Sequence, residues 1–429
     1  MEVNFLFFGV IFLINLVRFL GLDFSPPGFF VDEAVGAAHV LCLKQTGADY
    51  FGTSYPLFSA GFGGGFYTAP FLYGEALFTS IFGNSIFAFR AFLALVTFLT
   101  IVLIYFWTKR ETNERTARFA LLFATITPWA FQFSRIAWDP PLAPLFLMLG
   151  LVFFQSKKTY SWILGSLSFA IASYAYPPAR IQAFLFLLLI PSLRFRKTIG
   201  SFLVWGVALI PLFLRSLDGG FTARAKMLVL WSDYPMNPYH DASIFGLTIG
   251  FCTQLLNYFT PDFLLLHGDH NLRHSIQVFG MLSYPEVFFL CGGVMLFLFR
   301  LRQKQEFIPK GERVFFIILL AGIFSGLTAG ALTWEGGPHA LRAIGAWPFF
   351  SILAAFFAEK LFLFLKDKGK YLSYGTLAGS AVFSIFYLNA FFTGYPVWVE
   401  PWFKTEAAPL AHAYEQMVDQ GITCQNLKR

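Results

Sequence analysis

The sequence predicts an all-α polytopic membrane protein, and three observations carry that prediction. Of its 429 residues, 57% are hydrophobic and 20% aromatic, against 13% charged, a balance that soluble domains do not show. Its apolar stretches are continuous runs rather than alternating ones, which suits helices that satisfy their own backbone groups in lipid and not a β-barrel. Its basic residues collect in alternate connections between those runs. The net charge of +7 then reads as loops that orient helices rather than as a nucleic-acid surface, and neither a zinc finger nor an RNA-binding signature is present.

The first apolar segment, about residues 4–22, has no basic region ahead of it and no small-residue cleavage site, so it is expected to be a retained helix rather than a signal peptide. Ten more apolar runs follow, at about 86–107, 117–133, 140–155, 160–176, 180–193, 198–215, 285–299, 314–333, 341–362 and 371–393. With about 20 residues needed per crossing, this predicts about eleven transmembrane helices. Seventeen of the 31 Lys and Arg fall in the connections 109–118, 157–158, 194–197, 300–313 and 366–370. The positive-inside rule makes that side cytoplasmic, with the N-terminus cytoplasmic and the C-terminus extracytoplasmic.

A membrane domain of residues 1–393 and a short extracytoplasmic tail, 394–429, follow from this layout. The long connections, 23–85 and 216–284, lie on the outer side and are aromatic, with Asp, His and isolated Arg. That asymmetry puts recognition or chemistry on the outer face. No internal repeat stands out, unlike transporters built from inverted repeats. The four cysteines form no CxxC pair. Free or buried thiols are the default expectation, with a disulfide between two that lie outside the helices left open.

Within the first outer loop the sequence predicts helices at about 31–47 and 68–82, separated by the glycine-rich run GFGGGFY at 61–67. That run lacks the Lys-Ser/Thr of a phosphate loop and reads as a flexible crossing near a ligand. The first helix opens on Asp32 and Glu33, which point about 100° apart and so cannot share a task. Gly36, one turn on, is expected to open space beside Asp32. A carboxylate there can be a base tuned by burial, or a first-turn acid that complements the helix dipole. Isolated outer charges follow: Arg135 and Asp139, which can pair across one turn, then Arg180, Arg273 and Arg342. Arginine grips phosphate bidentately, and it also snorkels at helix ends. Asp269, His270 and His274 are a thin metal signal.

Four segments resemble the GT-C glycosyltransferases, in particular bacterial relatives of the protein O-mannosyltransferases and of the aminoarabinose transferases. They are VDEA at 31–34, PWAFQFSRIAWDPPLAPLF at 128–146, GDHNLRHSIQVFGMLSYPE at 268–286 and PHALRAIGAWPFF at 338–350. The resemblance implies a GT-C fold and an inverting transfer of sugar from a polyprenyl-phosphate carrier to a hydroxyl acceptor, lipid, glycan or protein, at the outer side of the cytoplasmic membrane. It implies Asp32 as the base and Glu33 as a residue that orients the site or holds the acceptor. Arg135 and Asp139 would shape the pocket. Arg273 and Arg342, with His274 and His339 beside them, would bind the donor phosphate. No cofactor is required and no metal is indicated, although a divalent ion remains compatible; membrane lipids are expected partners and nucleic acid is not. At 68–70 the chain reads Thr-Ala-Pro where relatives carry a basic residue before proline. A GT-C-like assembly protein without chemistry, or a transporter of lipid-linked glycans, are the alternatives.

Overall fold

The computed structural model describes residues 2–194 and 198–403, together with 413, 414, 416–418, 423 and 424. Arg196, Lys197 and most of the expected tail lie outside the described residues. The chain is helical nearly throughout. Apolar segment one forms α1 (Glu2–Leu16). The first long connection holds α2 (Val31–Thr46), a hairpin of β1 (Phe58–Ala60) and β2 (Phe66–Thr68), and α3 (Ala69–Phe82). The bundle continues with α4 (Ile86–Glu111), α5 (Glu114–Ile126), α6 (Pro128–Phe133), α7 (Leu142–Phe154), α8 (Ser161–Ala175) and α9 (Ala179–Arg194). Next come α10 (Thr198–Ala208), α11 (Ile210–Ser216), α12 (Gly219–Leu228) and α13 (Ile244–Asn257). The chain then runs through α14 (Tyr284–Arg302), α15 (Arg313–Ala331), α16 (Trp347–Leu365), α17 (Gly369–Asn389) and α18 (Tyr395–Phe403).

Every expected span is helical, but several are broken or short. The run at 117–133 divides at Thr127–Pro128, where proline can open a new helix but not continue an old one. The run at 198–215 bends by 55° between α10 and α11, ahead of Pro211. Among the described residues, Ile86–Glu111, Tyr284–Arg302, Lys310–Ala331 and the composite stretch Ile344–Phe403 are long and apolar enough to cross a bilayer, and the bent pair adds a fifth. Leu6–Phe19, Leu142–Phe154, Ser161–Ala175 and Ala179–Leu189 are apolar but shorter. Helices α7 and α8 cross closely through Gly150 and Gly165: a Cβ on Gly150 would stand 2.3 Å from Phe169, and one on Gly165 2.7 Å from Phe154.

Among the described residues, the helix ends that flank four of the basic connections contact one another. Arg115 pairs with Glu359 at 3.3 Å and lies 3.9 Å over the Phe362 ring, Lys360 pairs with Glu312, and Gln155 donates to Glu111 at 2.6 Å. The hairpin in the first connection turns through Gly63 and Gly64, both at positive φ (61° and 79°), a conformation glycine adopts without steric cost.

The cysteines depart from the default expectation. Cys42 on α2 is joined to Cys424, while Cys252 and Cys291 are free and exposed. The two are 382 positions apart, a pairing that spacing cannot disclose.

Candidate active site

The acidic pair divides at the start of α2. Glu33 is the third residue of the helix and accepts from the backbone N–H of Phe30 at 3.0 Å, capping the first turn. Its two oxygens also take a fork from Arg90 of α4, Nε to Oε1 and Nη2 to Oε2, both 2.8 Å. Ala137 N–H donates to Oε1 at 2.7 Å. Both side chains of the ion pair are fully buried. Arg90 donates as well to the carbonyls of Leu22, Pro26 and Gly28, so one guanidinium folds the 22–28 connection onto α2 and α4. Gly28 must be glycine there, with φ 73° and its missing Cβ 2.9 Å from the Phe403 carbonyl. The acceptor-holding role expected of Glu33 is therefore not where the structure places it, because its lone pairs are already engaged.

Arg135 is likewise part of the framework. It is buried and donates to the carbonyls of Arg18 at 2.8 Å, Leu20 at 2.7 Å, Gly21 at 2.9 Å and Ser25 at 2.9 Å. Asp139, the partner expected one turn away, is not among its contacts. Arg180 donates to the Ser173 carbonyl at 3.1 Å. Gly36 does not open space beside Asp32: a Cβ there would stand 3.1 Å from the Phe71 ring, so the glycine lets Phe71 and Tyr67 pack on α2.

Asp32 faces the other way. It is half-buried, and its carboxylate makes no hydrogen bond or ion pair among the described residues. Its carbonyl accepts from Tyr67 Oη at 2.5 Å. Burial pushes its carboxyl up to about 6 against the opposing pull of Arg224 and Arg273, with Glu33 adding to the rise. Asp139, in the turn before α7, is also half-buried. Burial pushes it up to about 8, and the charge of Asp32 adds to that. Two carboxyls within each other's field thus hold protons over different pH ranges. Tyr67 responds to both acids and to Arg224, and Tyr176 to Asp139, Arg224 and Arg342, so these groups lie within one another's electrostatic reach.

Three arginines act on this group: Arg224 and Arg273 on Asp32, and Arg342 on Tyr176. Arg273 stacks 4.2 Å over the Phe30 ring and 5.5 Å over Trp402. Arg342 is held by Thr333 Oγ1 at 2.8 Å, the Glu335 carbonyl at 2.7 Å and Glu335 Oε2 at 3.2 Å. Arg224, on α12, donates to the Gly63 carbonyl at 3.3 Å and is exposed. His274 is buried against Asp269, Nδ1 to Oδ2 at 2.7 Å, and His339 stands 3.9 Å from the same oxygen. His270 is elsewhere, exposed and 3.5 Å from Asp262, so the histidine that joins Asp269 and His274 is His339.

Sequence reasoning missed Arg224, Tyr67, Tyr176 and Arg90. Arg90 carried a signal, the lone charge in the apolar run 86–108. Arg224 sat in a connection with no periodic pattern, and only its contact with the glycine turn reveals its place.

Comparison with known proteins follows the same lines. Residues 70–217, from α3 to the end of α11, match the family described as dolichyl-phosphate-mannose-protein mannosyltransferase. A sequence comparison with curated proteins finds no match. Among solved structures, apo ArnT from Cupriavidus metallidurans is similar at 14% identity, covering 96% of this chain and 77% of that one, with TM-score 0.49. The same protein bound to undecaprenyl phosphate is similar at 12% identity over 99% of this chain and 77% of that one, TM-score 0.48. The Archaeoglobus fulgidus oligosaccharyltransferase tethered to an acceptor peptide is similar at 11% identity and TM-score 0.49; the match takes in 93% of this chain and 55% of that one. Of the four segments that carry the resemblance, 128–146 lies within the residues that match the family.

Proposed function

From a chain similar to the GT-C glycosyltransferases, with residues 70–217 matching a mannosyltransferase family, we propose an inverting glycosyltransferase that moves a sugar from a polyprenyl-phosphate carrier to a hydroxyl acceptor. The observation that carries this is the contrast on α2: Glu33 is locked to Arg90, while the neighbouring Asp32 leaves its carboxylate unpartnered toward Arg224 and Arg273. Asp32 takes the proton from the acceptor hydroxyl, the freed oxygen attacks the anomeric carbon from the face opposite the phosphate, and the carbon–oxygen bond to phosphate breaks. The electron pair leaves on the carrier phosphate. The products are the glycoside, polyprenyl phosphate and a protonated Asp32.

Arg273 and Arg342 suit the leaving phosphate, where charge builds as the bond breaks. Asp139, neutral near pH 7, adds no second negative charge beside Asp32. Arg224 answers the missing basic residue at Thr68, since it acts on the adjacent Tyr67 from another loop. The lipid tail can stay in the bilayer while its phosphate is held at the boundary.

The site belongs on the non-cytoplasmic side of the inner membrane. Helix ends that flank four of the basic connections, which the positive-inside rule makes cytoplasmic, contact one another, and the disulfide between α2 and the tail suits an oxidising compartment. The N-terminus is then cytoplasmic and the tail outside. The acceptor is an envelope hydroxyl.

The deciding experiment is transfer from a radiolabelled polyprenyl-phosphate sugar in proteoliposomes. Asp32→Asn is expected to abolish product while the protein keeps its melting temperature. Turnover close to that of the unaltered protein would remove Asp32 as the base.

A further inference from the structure

We infer that Asp269, His274 and His339 form a site for one divalent transition metal of the zinc type, with an open coordination position for an anionic oxygen. One ligand atom from each of the three lies within 4.8 Å of the others. The residues come from two separate connections, 269–274 ahead of α14 and 339 ahead of α16, so the fold brings them together.

The details suit an ion better than a simple histidine–aspartate pair. Asp269 is fixed before any ligand arrives: Asn271 N–H donates to Oδ1 at 2.9 Å and Ala340 N–H to Oδ2 at 2.7 Å. His274 is held between the rings of Phe133 and Trp138, at 5.7 and 5.9 Å. The two imidazoles face one another with centroids 4.7 Å apart. The imidazole atoms nearest Asp269 Oδ2 are the two Nδ1 nitrogens. A tetrahedral ion with bonds of about 2.0–2.1 Å separates its ligand atoms by about 3.3 Å. The present separations from Asp269 Oδ2, 2.7 Å to His274 and 3.9 Å to His339, bracket that spacing.

The charge says what fills the open position. One carboxylate and two neutral imidazoles leave a dication with one positive charge. Arg342 is next to it: its backbone N–H is directed at His339 Nδ1 at 3.4 Å, and its guanidinium charge acts on His339. A cation beside an arginine is costly until an anion joins both. The phosphate of the lipid carrier is that anion, and this part rests on the proposed donor. Metal and phosphate are then expected to tighten each other's binding by the same factor. Three protein ligands and an exchangeable fourth is also the arrangement of metal sites that handle substrate.

The test uses the full chain in detergent, stripped with chelator and dialysed. Zinc titration calorimetry, with metal content by mass spectrometry, is expected to give one ion per chain. Cobalt in its place should show the visible absorption of tetrahedral coordination. His339→Ala, in a half-exposed loop, should weaken zinc by about 100-fold, and His274→Ala should do the same if it folds. His267→Ala and His270→Ala, near Asp262, should not. Polyprenyl phosphate is expected to raise the zinc affinity. Failure to bind a stoichiometric ion, retention of binding in the His274/His339 double variant, or loss with His267→Ala overturns the site. Zinc affinity indifferent to polyprenyl phosphate overturns the anion-facing position. An inactive Asp32→Asn that still binds zinc, or the reverse, separates this site from the choice of base.

Discussion

Two sets of arginines in this bundle do opposite things. Arg18, Arg90 and Arg135 are fully buried. Arg18 and Arg135 donate chiefly to carbonyls, such as Thr125 at 2.7 Å and Ser25 at 2.9 Å, and Arg90 adds its fork to Glu33. Arg224, Arg273 and Arg342 are in contact with ring faces, a glycine turn and partly exposed loop groups. In sequence, members of both sets are isolated charges near apolar boundaries. What separates them is the partner. Buried carbonyls and a buried carboxylate use up the first set and turn it into framework; in the second set Arg273 hydrogen-bonds only the neighbouring Asn271 Oδ1 among the described residues, and Arg342 bonds Thr333 and the exposed Glu335. Glu33 and Asp32 repeat the contrast on one helix turn.

The largest effect should come from breaking that contrast on α2. Asp32→Asn is expected to lower transfer by about 10²–10⁴-fold with little change in thermal stability. Arg90→Ala should act through the fold instead, since it leaves a carboxylate buried without its partner, at about 3–5 kcal/mol. Thermal melting in detergent alongside initial rates distinguishes them. A stable, inactive Arg90→Ala would place Arg90 in the chemistry and erase the division.

Next in size are the open arginines. Arg273→Ala and Arg342→Ala should each cost about 1.5–3 kcal/mol of donor binding, the worth of a hydrogen bond to a charged group. The loss should appear in affinity for polyprenyl phosphate measured by calorimetry. Arg135→Ala should instead lower the melting temperature.

A third effect is in pH. Asp32 releases its proton near 6 and must be ionised to act as base, so the rate is expected to rise as pH passes upward through about 6. Asp139 stays protonated until about 8, and its ionisation places a second negative charge beside Asp32 and the donor phosphate, so the rate is expected to fall above that value. Asp139→Asn mimics the neutral form. It should keep the acidic limb and abolish the alkaline one, and loss of both limbs in this variant would detach the profile from these two acids.

Much of the architecture was legible because lipid allows few backbone solutions. Each apolar run became helix, and α2 and α3 began and ended within a residue or two of expectation, from Val31 and Ala69. Within the site, the sequence singled out Asp32, Asp139, Arg273, His274, His339 and Arg342; the structure puts Asp32 in the field of Arg273 and Asp139, and His274 and His339 side by side next to Arg342. It could not sort Glu33 and Arg135 into the framework, because that depends on which carbonyls the 17–28 connection presents. It could not bring Arg224 to Gly63, since the α12 contact depends on the path of a long loop. Helices α12 and α13 went unseen for the same reason, their short patterns being masked by an aromatic background.

The smallest expected effect concerns the far end of α2. Cys42 lies ten residues beyond Asp32, about 15 Å along the helix at 1.5 Å per residue, and its bond to Cys424 holds tail residues against α2. Tyr414 packs 4.8 Å from Phe29, and Cys424 N–H donates to Gln45 at 2.8 Å. Opening the disulfide frees the tail but leaves the Glu33–Arg90 lock and the first turn of α2 intact. Cys42→Ser paired with Cys424→Ser should therefore lower the melting temperature modestly and leave turnover within about twofold, the scale of surface changes remote from a site. A membrane-impermeant maleimide sharpens the result: in intact cells it should reach Cys42 and Cys424 only after reduction. If turnover instead fell as far as it does in Asp32→Asn, the tail would belong to the active site, and the boundary between framework and chemistry would move from the first turn of α2 to its whole length.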